Sequence, residues 1–376
     1  LDRFEILFPE KRQFFLENGD LFANFGTDGA RPFFSRRIGV TRDPNTGQNI
    51  QNKIDAGLRL SGKIHDDLRI GVLQMRTAAI DSINEPANNF SVIALQQKLF
   101  HRSSLGVIFT NKDVVGTKDF NRVGGIEYNI ASKNNAVNGK VFYMQSFDPI
   151  KTKDNASFGT NIIYNTRKFE TRQRLQYIGE NFNPEVGYLR RAGFTRLAGD
   201  AQLKYYPSSG KINRHGPMID YDFTYFPEKG MTDYDLNLMY NILYKNFTQL
   251  TFRFRRDYTK LTEDFDPTNT GGEKLKADER FVYYSMSINL VTDQRKKLFG
   301  RFQTRSGEYF NGTRINLDAD ITYRIQPYGS ISTVFSYNKL KFPQPYKSVD
   351  LILVGPKIDL TFTRSLFLSA LVQYNN

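Results

Sequence analysis

Residues 231–245 alternate. Tyr234, Leu236, Leu238, Tyr240, Ile242 and Tyr244 take the even positions, while Asp233, Asp235, Asn237, Met239, Asn241, Leu243 and Lys245 take the odd ones. A β-strand turns successive side chains to opposite faces, so this period predicts a ribbon with one apolar and one polar side. The run is longer than an ordinary half-buried strand of a soluble protein. Tyrosines close both ends of its apolar side. Lipid on one face, water on the other and aromatic rings at the boundaries account for all three features, as in a bilayer-spanning β-barrel.

The pattern recurs. Ile54, Ala56, Leu58 and Leu60 oppose Asp55, Arg59 and Lys63, and Ile219, Tyr221, Phe223 and Tyr225 oppose Asp220, Asp222 and Thr224. Ile315, Leu317, Ala319, Ile321, Tyr323 and Ile325 oppose Arg314, Asn316, Asp318, Asp320, Thr322 and Arg324. Strands are predicted at 54–64, 67–78, 90–101, 104–111, 122–131, 136–147, 157–165, 170–178 and 199–206. They continue at 218–226, 232–245, 247–257, 280–291, 298–308, 313–325, 328–338, 350–362 and 365–374. No stretch holds a long 3.6-residue period, so helices are expected to be few. The expected fold class is all-β: an antiparallel up-and-down transmembrane barrel, with about 18–19 strands in this chain.

The joins supply a second signal. Short ones near 65–66, 102–103, 132–135, 166–169, 246, 292–297, 326–327 and 363–364 alternate with long ones near 79–89, 112–121, 148–156, 179–198, 258–279 and 339–349. The order is irregular around 207–231, with a modest loop at 309–312. Short periplasmic turns alternating with long outer loops are expected of an outer-membrane barrel.

Residues 1–32 do not alternate and are expected to form a periplasmic or plug-like segment, ahead of a barrel over 33–376. Pro9 to Glu17 predicts a short helix stopped at Asn18-Gly19. Its phenylalanines are too many for a solvated linker, which places it in or beneath the barrel mouth. Because 54–64 runs inward, an earlier strand must bring the chain out, and Phe33–Val40 is the expected one. Thr41–Gln51 reads as a turn-rich loop. The last candidate strand runs outward. Its parity predicts a natural chain that continues past Asn376 and a complete barrel of about 20–22 strands.

Composition narrows the alternatives. Charged residues make up 24% of the 376, and no apolar run approaches the roughly 20 residues of a spanning helix. Trp is absent, so an interfacial girdle has to be built from the 21 Tyr and 32 Phe. Cys is absent too, which excludes disulfides and thiolate metal sites. The net charge of +13 raises nucleic acid as a partner, but the 52 cations are dispersed among 39 acids rather than gathered in a stripe. Lipopolysaccharide or an anionic solute is the expected counter-charge.

Candidate lumen-lining residues are Asp220, Asp222, Asp233, Asp235, Asn237, Arg253, Arg255, Arg301, Arg305, Arg314, Asp318, Asp320 and Arg324. The paired aspartates read as calcium ligands, as a selectivity lining, or as partners of Arg253, Arg255, Arg301, Arg305, Arg314 and Arg324. The last reading is favoured because half-buried charges need partners. Tyr234, Tyr240, Tyr244 and Tyr323 are the membrane-girdle candidates; rings at strand ends suit anchoring better than sugar stacking. Sugar contacts are expected, if anywhere, in 179–198 and 258–279. His65, beside Asp66 and Asp67, falls in a predicted turn, and His215 in a predicted loop. His101 near Ser103 and Ser104 is the one local acyl-transfer candidate, in a tight turn, and carries little weight. With no zinc spacing and no phosphate loop, neither a catalytic set, a metal site nor a cofactor is expected.

Several longer motifs stand out. They are Phe8-Pro9-Glu10-Lys11-Arg12-Gln13-Phe14-Phe15-Leu16-Glu17-Asn18, Phe33-Phe34-Ser35-Arg36-Arg37-Ile38-Gly39 and Phe182-Asn183-Pro184-Glu185-Val186-Gly187-Tyr188-Leu189-Arg190-Arg191. Arg324 to Gly329, Val354-Gly355-Pro356 and Leu360 to Arg364 extend the set. Through them the chain resembles a family of Bacteroidota outer-membrane β-barrels found C-terminal to a carbohydrate-binding family-nine-like domain. Tyr328 stands where that family suggests Trp, and the sugar-binding-like domain lies outside these residues. The resemblance supplies no catalytic residues.

The expected function follows. The chain should be a non-enzymatic outer-membrane barrel acting as a channel or transport-associated porin-like protein with a charged, Arg-rich lumen. The alternative is a plugged structural barrel that anchors a sugar-binding domain or docks in a larger export or uptake complex. Expected partners are outer-membrane lipid and lipopolysaccharide, an envelope protein, and a glycan or small solute.

Overall fold

The computed structural model describes residues 10–376. The chain is all-β, with 62% strand and 4% helix, and 19 strands belong to one large antiparallel sheet. No helix among the described residues is long and apolar enough to cross a membrane. The strands fall into two compact units, one up to Asn165 with Arg172–Leu197, the other Thr166–Thr171 with Ala198–Asn376.

In the first unit the strands Ile54–His65, Leu68–Thr77, Asn88–Leu99, Ser103–Val114, Phe120–Ala131, Val137–Phe147 and Ala156–Asn165 pair in order. Register puts Leu60, Val72, Ile93, Phe109 and, one row on, Val107, Ile126, Tyr143 and Phe158 on one face. Most of these side chains are exposed. The opposite face carries Leu73, Met75, Phe90, Val92, Ala94, Ile108, Val123, Phe142 and Met144, all buried. What buries them is residues 10–38 together with the connection at 179–193. Phe15, Leu21, Phe22, Phe25, Phe33 and Ile38 join one apolar core with Val186, and Phe182 joins a second with Ala30. Each such phenylalanine contributes about 1.5–3 kcal/mol by leaving water.

Glycines in the sheet make room for this segment. A Cβ on Gly71 would lie 2.4 Å from the Phe22 ring, and one on Gly106 would lie 2.8 Å from the Phe25 ring. The helix expected over Pro9 to Glu17 is present in its described part as Gln13–Leu16, and Asn18, at φ +48°, ends it. A second turn, Asp20–Ala23, follows.

Phe33–Val40 is not a strand of the sheet. It forms a 3-10 turn, Ser35–Arg37, between the short pairing of Ala30–Arg31 with Tyr188–Leu189 and the hairpin of Val40–Arg42 with Asn49–Gln51. The pattern Phe33-Phe34-Ser35-Arg36-Arg37 doubles like residues instead of alternating them, so it cannot offer a strand one apolar side. The chain reaches the long-connection end within the N-terminal segment itself, and the sheet begins at Ile54 rather than at residue 33. The parity argument for an additional early strand therefore loses its premise.

In the second unit, strands Ile212–Phe226, Gly230–Tyr244, Gln249–Lys260, Arg280–Val291, Leu298–Tyr309, Gly312–Ile325, Gly329–Lys341 and Val349–Thr361 pair consecutively. Phe367–Leu371 and Tyr374–Asn375 keep one register along Val349–Thr361, as two parts of one ribbon. The strand expected at 218–226 begins six residues earlier, at Ile212. Asn213, Gly216 and Pro217 look like a loop in sequence, yet Gly216 and Pro217 sit in the ladder opposite Asn241 and Tyr240. Phe194–Leu203 likewise starts before the expected 199–206.

Candidate functional site

The cross-strand register of the second unit places all thirteen candidate lumen residues on one face. Asp222 stands opposite Asp235, Asp233 opposite Thr224, and Asp220 opposite Asn237, which in turn faces Arg255. Arg253 faces Ser287, which faces Arg305; Arg301 faces Asp320; Asp318 faces Gln303; Arg314 faces Gly307; Arg324 faces Ser330. A period of two in sequence has become a continuous polar wall.

The wall is held together mainly by amides and hydroxyls. Asn237 is 1% exposed, and its Nδ2 donates to Asp220 Oδ1 and Asp235 Oδ1, each at 2.8 Å. Arg255 Nε donates to Asn237 Oδ1 at 2.8 Å, so one amide links two carboxylates to a guanidinium. Farther along, Asn316 Nδ2 donates to Asn338 Oδ1 at 2.8 Å, and Ser336 Oγ donates to Asp318 Oδ1 at 2.6 Å. The expected aspartate–arginine pairing takes a different form at Arg305. Its carboxylate is Asp257, at 2.9 Å, and its Nε donates to Ser285 at 3.0 Å.

Asp257, Ser285, Asn316, Ser336 and Asn338 were not among the candidates. Asp257 was readable: it continues the Arg253, Arg255 alternation by one more step. The others needed the register. Six predicted arginines thus share the face with six predicted aspartates and Asp257, and the register adds Arg214, Lys357 and Asp359 to it. Among the described residues, no group of three His, Cys, Asp or Glu is arranged to hold a metal ion.

The girdle candidates lie on the other face. Tyr234 stacks on Tyr258 with ring centroids 5.2 Å apart and meets Phe223 at 5.7 Å. Tyr240, Tyr244 and Tyr323 fall near the opposite ends of their strands. His65 closes the Ile54–His65 strand at the edge of the expected turn, where its Nδ1 accepts from Asp67 N–H at 3.3 Å, and His101 is in the turn between Asn88–Leu99 and Ser103–Val114. His215 is not in a loop. It lies in the Ile212–Phe226 strand, its Nδ1 2.6 Å from the Tyr240 hydroxyl and its ring beside Tyr205. Of the two long connections considered for sugar contacts, 261–279 folds around Asp266. That carboxylate accepts backbone N–H groups from Thr268, Thr270, Gly271 and Gly272.

In the first unit the three longest motifs meet. Arg12 donates to Ile38 O at 2.8 Å, to Ser35 O at 2.7 Å and to Glu10 Oε2 at 2.8 Å, with its guanidinium 4.3 Å from the centroid of the Phe15 ring. Ser35 Oγ donates to the same Glu10 oxygen at 2.5 Å. Phe34 N–H donates to Val186 O at 2.9 Å, and Arg37 Nε donates to Gly187 O at 3.1 Å. Deeper in, Arg69 grips Asp20 through two bonds of 2.7 and 3.0 Å. Glu127, 3% exposed, accepts from Lys140 at 2.8 Å and from Gly26 N–H at 3.0 Å.

Burial pulls the Glu10 carboxyl upward, but hydrogen bonds from Arg12 and Ser35 outweigh it and hold its pKa down at about 2, from an ordinary 4.5. Asp20 is lowered as well, first by its bond from Arg69. A carboxyl depressed in the folded state adds stability above its unfolded pKa and loses it as pH falls through the folded value. Hydrogen-exchange protection of residues 13–23 is thus expected to hold from neutral pH to near 4.5 and to fade toward about 2. Loss of protection well above pH 4.5 would show that these carboxylates are not the clasp.

Among curated proteins none matches this sequence. Residues 1–366 match the family described as a domain of unknown function, DUF5916, and the chain belongs to that family.

Proposed function

We propose that the large sheet closes into an outer-membrane β-barrel whose apolar face meets lipid, whose mixed-charge wall faces the lumen, and whose N-terminal segment is a plug. The assignment of faces carries this reading. Leu58, Leu60, Ile93, Val107, Phe109, Ile126, Tyr143 and Phe158 are exposed together on one side of the first unit. A contiguous apolar patch of that kind marks contact with something other than water. Tyr234 and Tyr244 are ten residues apart. That is about 33 Å along a strand, or about 25 Å of height at the usual tilt, the thickness of an apolar band in such barrels.

On this reading the chain is transport-associated and not an enzyme. Solutes pass along the polar wall once the plug shifts, in keeping with the resemblance to the Bacteroidota barrels that carry a sugar-binding-like domain. In planar bilayers the chain is expected to be mostly closed. Arg12→Ala, which loosens the plug, is expected to give frequent openings of weak ion selectivity, because cations and carboxylates share the wall. Large, constant conductance of the unaltered chain would refute a plug.

A second reading is a structural barrel that anchors a partner domain or docks in an envelope complex. The burial of Phe22 and Phe25 in the apolar core of the first unit favours it. Silence of both the unaltered chain and Arg12→Ala in bilayers, with a stable partner co-purifying, would select it.

A further inference from the structure

At the long-connection end of the second unit, the polar wall turns aromatic. Tyr283 stands opposite Asp257, Phe281 opposite Thr259 and Leu340 opposite Arg314, so all three lie on the wall's side of the sheet. Tyr309 extends the row of Arg301, Gln303 and Arg305 on that same side. Side chains facing open water there would be solvated, yet Tyr283, Leu340 and Phe342 are only 7%, 9% and 7% exposed. Phe310, at the tip of the next hairpin with φ +53°, is the hub of the packing. Its ring centroid lies 5.5 Å from that of Tyr283, 5.4 Å from Phe281, 4.7 Å from Tyr309 and 5.4 Å from Phe265 of the connection 261–279. Tyr309 in turn meets Phe342 at 6.2 Å.

The connection itself is a body held by its own bonds. Phe265 and Leu275 exchange backbone hydrogen bonds of 2.9 Å in both directions, and Leu275 is 0% exposed. Asp266 gathers the N–H groups of the turn between them, and Lys276 pairs with Asp264 at 3.4 Å and with Glu273 at 3.8 Å. All of these bonds lie inside 261–279, whereas its seat on the wall runs through the Phe265 and Phe310 rings. It also reaches the connection 342–348, since a Cβ on Gly272 would lie 3.3 Å from Lys347 Cβ. An element bonded within and seated through rings can lift without breaking its own polar bonds, which is how lids move.

We propose that residues 261–279 form a cap over the long-connection end of the polar wall, seated on Phe310 and lifting as one body. The row beneath it is charged. Arg305 pairs with Asp257 there, and the Arg314 guanidinium lies 4.3 Å from the centroid of the Tyr309 ring. A solute reaching that row from this end has first to displace the cap. As a gate the cap rests on the barrel reading; as a cover of the wall it does not.

Two variants of the full chain test it. Phe310→Gly suits the positive φ and removes only the ring. In detergent micelles it is expected to speed hydrogen exchange over 261–279 at least about tenfold, with residues 13–38 unchanged. Gly272→Cys with Lys347→Cys brings two thiols to disulfide reach, in a chain that has no other Cys. Oxidised, the pair is expected to restore slow exchange to Phe310→Gly, and dithiothreitol to reverse the effect. In planar bilayers, with Arg12→Ala loosening the N-terminal segment, the reduced pair should open more often than the oxidised one. Unchanged exchange in Phe310→Gly overturns the proposal, as does failure of the two thiols to pair. Equal, nonzero conductance of the oxidised and reduced forms overturns it too and leaves the barrel standing. Silence of every form in bilayers, with exchange responding as expected, upholds the cap and counts instead against an open lumen.

Discussion

Asn237→Leu is expected to destabilise the folded chain by about 2–5 kcal/mol, the range for stranding buried charges and polar groups. The side chain is 1% exposed and serves three charged neighbours at 2.8 Å: Asp220, Asp235 and Arg255. Leucine fills a similar volume but offers no donor to the two carboxylates and no acceptor to the guanidinium. Asp220 and Asp235 share this one amide, so its removal takes a donor from both carboxylates at once. Urea unfolding in micelles, followed by the shift of the folded band in unheated electrophoresis, measures the effect. Asn237→Asp should be worse than Asn237→Leu, because it places a third carboxylate beside Asp220 and Asp235. A change of less than about 0.5 kcal/mol in both variants would mean that the wall is solvated and its hydrogen bonds are exchangeable with water.

The second large effect is local. Arg12→Ala removes two hydrogen bonds to the Ser35 and Ile38 carbonyls, the contact with Glu10 and a cation–π contact with Phe15. Hydrogen bonds from a charged group contribute about 1.5–3 kcal/mol each. Arg12 keeps 38% of its side chain exposed, so water recovers part of this and about 2–3 kcal/mol is expected in total. Hydrogen exchange should then speed up roughly 30- to 150-fold over residues 13–38, while the strands from Ile54 onward keep their protection. Arg12→Lys restores charge without the forked geometry and should recover only part of the loss. Uniform acceleration across segment and sheet would show that the two unfold as one unit.

How much of this was readable in advance depends on what each face touches. From Met218 to Thr361 one side is mostly polar and the other mostly apolar, so alternation gave the faces and the polar wall. The first unit breaks that assumption. In Asn88–Leu99, Phe90, Val92 and Ala94 are buried while Ile93 and Leu95 are exposed, so both sides are apolar and the expected polar interior is missing there. Residues 10–38 explain the departure, since they present Phe22, Phe25 and Ile38 to that side. Phe33–Val40 was misread for a related reason. Its apolar residues are spaced for a turn that wedges under a neighbouring loop, and the loop in question, with Val186 and Gly187, lies about 150 positions away. His215 was misplaced because Asn213, Gly216 and Pro217 carry the local signals of a turn, and the ladder with Gly230–Tyr244 overrides them.

The bonds of the N-terminal segment also impose an order of events. Thr27 waits for Gln176, 149 residues downstream, and Arg37 waits for Gly187 at a separation of 150. Contacts so remote carry a large closure cost before they return anything, and chains dominated by them fold slowly. The segment that precedes the sheet in sequence is therefore among the last parts to reach its resting place. The seven strands of the first unit must already be laid side by side before that segment can be stowed against them.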